Sequence, residues 1–149
     1  MSVLPNTTAD ATRAGPAHEW ATDTVKNLAE VTGRIFLALL FLLSGLGKIG
    51  AYGATAAYMS AAGVPSALLP VVIATKVVGT FAVIAGWHTR IAALLLAGYS
   101  LLAALLFHTH FADQLETIMF LKDVSIAGGF LLLVANGAGP LSLDRRRVR

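Results

Sequence analysis

Four stretches of the chain are dominated by apolar residues, and the charged positions between them mark where each begins and ends. The first runs over about 31–47, where only residues 35 to 47 separate Arg34 from Lys48. A run that short also suits a buried soluble helix. Two features make it a membrane span: its end charges have long stems that snorkel to opposite interfaces, and three further spans follow. The second covers about 67–86, with Lys76 near its middle. The third, 91–107, is the cleanest, because no Asp, Glu, Lys or Arg occurs from Ile91 through Ala112. At about 1.5 Å per residue that run crosses a hydrocarbon layer of about 30 Å. The fourth covers about 117–135 and carries Lys122 and Asp123 near its start; Gly137, Gly139 and Pro140 then stop it.

The flanks fill in the rest. Residues 1–17 are rich in Ala, Thr, Pro and Gly without hydrophobic period, which predicts a disordered tail. From His18 to Val31 apolar positions (Trp20, Leu28 and Val31 among them) recur at helical spacing, predicting a short interfacial helix. Ala54–Ala62 predicts another short helix, closed by Gly63 and Pro65. The turn Trp87–Arg90 is so short that the second and third spans must be antiparallel neighbours. Small residues one turn apart, Ser100 with Ala104 and Ser125 with Gly129, permit close helix approach. The expected fold is all-α: an integral membrane four-helix bundle of antiparallel transmembrane helices, preceded by a short N-terminal interfacial helix. Residues 18–143 make the membrane domain and 144–149 a basic C-terminal tail.

Composition agrees. Of 149 residues, 56% are hydrophobic and 13% charged, against about a quarter charged in a soluble domain. The lipid bilayer is therefore the first expected partner. The net charge of +3 is not gathered on a basic face with interleaved aromatics, so nucleic-acid binding is not expected. The chain contains no cysteine, which excludes disulfides, thiolate metal sites and thiol redox pairs. Redox chemistry would need a bound cofactor or a partner. Asp10, Glu19, Asp23 and Glu30 interrupt the first thirty residues, which do not read as a secretory signal. Eight Lys and Arg residues fall in the N-terminal region, the second loop and the C-terminal tail, against Lys48 alone on the other side. The positive-inside rule then puts both termini in the cytoplasm.

Charges inside the spans carry the chemistry, since each costs on the order of 3 kcal/mol or more at mid-bilayer unless paired or hydrated. Lys76 and Asp123 lie at depths differing by roughly one turn, so an ion pair between spans two and four is expected. The alternative is that Lys76 snorkels outward and Asp123 caps a neighbouring turn. His108 and His110 stand at the external end of span three. Two histidines close no metal site, and no metal is expected. His108 is grouped instead with Lys48, Ser44 and Lys122 in one polar cluster. Trp20, Tyr52, Tyr58 and Trp87 read as interfacial anchors, with ligand stacking as the alternative.

The segments SGLGKIGAY, YMSAAGVP, GWHTR, LLFHTHFA, MFLKDVSIAGGFLLL and GPLSLDR, in that order and spacing, resemble the DoxX family of small bacterial membrane proteins over about residues 33–145. The resemblance implies a four-span bundle in the bacterial inner membrane. It also implies a component of redox systems, some linked to quinone reduction, sulfur-compound oxidation or oxidative stress. It carries over no catalytic residues. Relatives commonly have an acidic residue in place of Lys76 and asparagine in place of Asp123, an exchange that again suggests contact between the two.

The leading expectation is a redox-associated protein binding quinone or a similar small apolar ligand between helices near the outer leaflet, with Lys76, Asp123, Lys122 and His108 bonding the ring oxygens. No intrinsic cofactor is expected, because the sequence has no dinucleotide-binding glycine motif, no cysteine ligand and no facing histidine pair within the spans. Electrons would come from a soluble or membrane redox partner. Two alternatives are an anchor that recruits a soluble oxidoreductase through its tails and the GWHTR turn, and a small transporter or proton-conducting bundle.

Overall fold

The computed structural model describes the backbone of residues 16–147 and the side chains of residues 22–146. The expected tail is therefore outside the described residues up to position 15, as are the side chains of Arg13, Trp20, Arg147 and Arg149. In order, the elements are α1 (Pro16–Gly50), α2 (Tyr52–Ala61), a 3-10 turn (Ser66–Leu68), α3 (Leu69–Ala85), α4 (Thr89–Phe107), α5 (Gln114–Asn136) and α6 (Leu143–Arg147). No strand occurs among the described residues. Four helices are long and apolar enough to cross a membrane.

One boundary differs from expectation. The interfacial helix and the first span are a single helix of 35 residues, already helical at Pro16. Nothing between His18 and Val31 breaks a helix, and Gly33 costs only about 1 kcal/mol inside one. Proline at the first position gives up an N–H that no helix would pair.

The spans alternate in direction and close a ring: α1 packs on α3, α3 on α4, and α4 most extensively on α5, which touches α1 more sparsely. Thus α3 and α5 are diagonal. Small residues decide how near the helices come. A Cβ on Gly45 of α1 would stand 3.1 Å from Val77 and 3.2 Å from the Lys76 stem on α3. Ser100 and Ala104 are both buried, as their spacing suggested, whereas Ser125 is exposed. The core centres on Phe41, edge-to-face with Phe130 at 5.3 Å and with Tyr99 at 6.0 Å. Thr80, buried on α3, donates to the Ala38 carbonyl of α1 at 3.4 Å.

The outer faces are unlike those of a soluble bundle. Only 11% to 33% of each span's most apolar window is buried within the protein. Phe36, Leu43, Val71, Phe81, Leu105 and Leu132 all point outward, each more than half exposed. In acyl chains that surface is at rest; in water it would aggregate.

At the end carrying the C-terminal segment, the chain folds back on itself. His88 precedes α4 with φ of 45°, a left-handed conformation, and its side chain makes no cap hydrogen bond to the helix. Asp144 supplies the cap instead. Its Oδ1 accepts from the His88 N–H at 2.7 Å, and its Oδ2 accepts from the Thr89 N–H and hydroxyl at 2.9 and 2.8 Å. Its own N–H donates to the Gly86 carbonyl at 2.8 Å. The same segment covers Arg34, which is 2% exposed and donates through Nη2 to the Leu141 carbonyl at 2.8 Å. Arg34 therefore does not snorkel to the interface, and residues 144–146 are not a free tail. A long stem reaches a carbonyl as readily as water when folded chain supplies one.

The cap is expected to respond to acid. Burial pushes the Asp144 carboxyl up, but the hydrogen bonds from Thr89 and His88 outweigh it and hold the group below its ordinary value of 3.8. A depressed folded pKa means stabilisation that is complete above the unfolded value and lost as pH falls through the folded one. Hydrogen exchange at residues 86–90 and 139–146 is expected to accelerate as pH drops below about 4, after correction for intrinsic rates. Asp144→Asn should show faster exchange at neutral pH and no such acid step. Identical profiles for the two proteins would refute the cap.

Candidate functional site

At the opposite end of the bundle a cavity of about 380 Å³ opens between α1, α2, α3, α4 and α5. Helical spacing aims the groups into it. On α1, Phe41, Ser44 and Lys48 recur three and four residues apart and share one face. On α5, Asp113 accepts from the Leu115 N–H at 2.8 Å and starts the helix directly after the loop. That start places Glu116 and Asp123, two turns apart, on one side. Lys76 enters from α3, and His108 from the C-terminal end of α4. All six residues singled out from sequence, Ser44, Lys48, Lys76, His108, Lys122 and Asp123, line this one cavity.

Lys76 is the buried charge, 7% exposed. Its ammonium donates to the Ser44 hydroxyl at 2.7 Å and lies 5.3 Å from the Phe41 ring centre and 4.7 Å from that of Tyr99. Two aromatic faces in a desolvated site are each worth about 1–2 kcal/mol to a cation. The expected Lys76–Asp123 ion pair is not formed: among the described residues no ion pair joins them within 4.0 Å. Depth along the helices was a fair guide, but α3 and α5 are diagonal, so the two groups face each other across the cavity instead of touching.

Asp123 is nearer to His108, with 3.9 Å between Oδ2 and Nε2. His108 Nδ1 lies 2.8 Å from Glu116 Oε2. Since a carboxylate only accepts, Nδ1 carries the proton of that hydrogen bond. Glu116, His108 and Asp123 thus form a row from the helix end to the cavity wall. Lys122 is exposed at the rim, with Nζ 3.0 Å from Met119 Sδ. His110 is exposed and does not line the cavity.

Three ammonium groups against Asp123 make the wall net positive, while most of the remaining lining is apolar. Such a site suits a flat apolar molecule bearing electronegative oxygens. Tyr58 of α2 stacks on Phe107 at 5.4 Å and both line the cavity, a role beyond that of an interfacial anchor. Trp87 is at the other end of the bundle, about 28 Å away by the length of α4. Sequence reasoning did not assign Glu116, Tyr99 or Ser100 to the site. The seven-residue spacing of Glu116 and Asp123 was the available signal for the first. Two adjacent polar residues within an apolar span were the signal for the others.

The DoxX family profile matches residues 29–109. The chain is 43% identical over 121 residues to the inner membrane protein YqjF of Escherichia coli strain K12, covering 81% of this chain and 93% of that one. It is 37% identical over 121 residues to the inner membrane protein YphA of the same strain, covering 76% and 86%. No solved structure matches. The described bundle has the four apolar helices expected of such membrane proteins, and on these matches the chain belongs to the DoxX family.

Proposed function

We propose that the protein is an inner-membrane component of a redox system that binds a quinone-like ring in the cavity at the distal end of the bundle. The observation that carries this reading is the convergence of Lys48, Lys76, Lys122, Asp123 and His108, from four helices, on a single mostly apolar space of about 380 Å³. That size falls within the range of about 300–1,000 Å³ for small-molecule sites. The ring would lie among Phe41, Tyr99 and the aliphatic lining, and the ammonium groups would donate to its oxygens. Reduction of a quinone to a quinol takes two electrons and two protons. With no cysteine and no cofactor motif in the sequence, electrons would be delivered by a redox partner, and the Glu116–His108–Asp123 row would carry protons to the ring oxygens. The asymmetry of Lys and Arg puts the opposite end in the cytoplasm, so the cavity faces the outer leaflet.

The recruiting-anchor alternative loses support from one observation: the backbone of the GWHTR turn is already engaged by Asp144 of the same chain.

A short-chain quinone added to the purified protein in detergent is expected to raise the melting temperature saturably and to quench tyrosine fluorescence. Trp87 is the wrong reporter, because it is remote from the cavity. His108→Ala should weaken binding about five- to tenfold, the equivalent of one lost hydrogen bond. Absence of saturable binding, or binding indifferent to changes at Lys76, Asp123 and His108, would refute the reading.

A further inference from the structure

At the end carrying the C-terminal segment lies a second, wider cavity of about 990 Å³, which shares no residue with the first. Three cations from three separate elements reach it: Lys26 from α1, Arg90 from the start of α4 and Arg145 from α6. All three are exposed, and none has an ion-pair or hydrogen-bond partner for its side-chain charge among the described residues. The two carboxylates in the lining form no ion pair with them. Asp144 accepts three hydrogen bonds from the first residues of α4 and their approach. Glu30 is one turn from the buried guanidinium of Arg34, which feels its charge, and its Oε2 is buried against Gly139 without a hydrogen-bond partner among the described residues. Gly139, at φ of 76°, is what lets that carboxylate in: a Cβ there would collide with Oε2. The cavity lining therefore carries three cations against two carboxylates, and none of the three is engaged in an ion pair among the described residues.

Its depth matters as much as its charge. Trp87, 43% exposed, stands beside His88 at this level, and an indole at a helix end marks the headgroup region. Below it the surface is the apolar belt. A molecule bound here has its charged part among Lys26, Arg90 and Arg145 and its remainder beside acyl chains. We propose that this cavity is a binding site for the phosphate of an anionic phospholipid headgroup, with the lipid tails lying along the neighbouring outer faces. Basic pockets between helices on the cytoplasmic side are suited to such headgroups, and each Lys or Arg near an anionic surface is worth about fivefold in binding.

The full chain, purified and reconstituted in phosphatidylcholine vesicles with and without a minority of phosphatidylglycerol, tests this. Phosphatidylglycerol is expected to raise the melting temperature and to remain bound, as seen by native mass spectrometry after extraction. Lys26→Gln, Arg90→Gln and Arg145→Gln should each weaken retention about fivefold, and the triple variant should abolish it. Arg146→Gln removes the same charge from the same short helix but lies outside this cavity, and it should retain lipid like the parent chain. Equal losses from Arg146→Gln and Arg145→Gln would reduce the effect to net charge and overturn the site. An equal thermal shift from inorganic phosphate in phosphatidylcholine alone would reassign the site to free phosphate. No difference between the two vesicle types would also overturn it. Circular dichroism of each variant separates lost binding from lost fold.

Discussion

Lys76→Met is expected to leave the bundle as stable as before or to stabilise it, while weakening quinone binding by at least tenfold. The two effects have one cause. An ammonium that is 7% exposed within a span has lost most of its hydration, and the structure returns one hydrogen bond, from Ser44, and two aromatic faces. Desolvation of such a charge costs several kcal/mol, and an apolar residue of similar length fills the same volume without that cost. Ring-oxygen contacts from a charged donor are worth about 1.5–3 kcal/mol, which converts to the tenfold loss or more. The measurements are thermal melting in detergent and a quinone titration of the same preparation. A clear loss of stability with unchanged affinity would make Lys76 a structural residue and remove the centre of the proposed site.

Gly86→Ala is expected to cost the fold about 3–5 kcal/mol of stability. Gly86 ends α3 at φ of 69°, where an L residue is strained by about 1–2 kcal/mol. The added Cβ would also collide with Ser142 Cβ, sit 2.6 Å from Arg34 Nη1 and sit 3.0 Å from Ser142 Cα. Neither Ser142 nor a guanidinium that is 2% exposed can swing aside, so the C-terminal segment would lift off, taking the Asp144 cap of α4 with it. Gly98→Ala, inside α4 with nothing within 4 Å of the new Cβ, should be neutral or stabilise by up to about 1 kcal/mol. Denaturant titrations of both variants decide the matter; equal stabilities would show that the docked segment contributes nothing.

How much of this was readable beforehand depended on whether the signal was local. The spans were legible because an uninterrupted apolar run has few other meanings, and the short helix before α3 was legible from Gly63 and Pro65. The cavity residues were legible for a related reason: Lys76, Lys122 and Asp123 stand out in apolar segments, and His108 and Ser44 lie at matching depth. The arrangement around the axis was not legible. Depth along a helix follows from counting, whereas which helices are neighbours depends on the packing of all of them, and that is why Lys76 meets Ser44 and not Asp123. The union of the interfacial helix with the first span was missed because a change of composition does not break a helix without a residue that does so. Asp144 went unread because its partners lie 55 and 56 residues earlier. It is nevertheless the one acid in a basic run, which was the available sign.

That separation also orders the making of the protein. When α4 emerges during synthesis, its first amide groups have no capping side chain of their own, and the carboxylate that will take them is still 55 residues from being added. Insertion of the third span thus precedes completion of its start, and the bundle locks only once Asp144 has joined the growing polypeptide. A stop codon placed just ahead of Asp144 would leave every span encoded and the assembly unlatched.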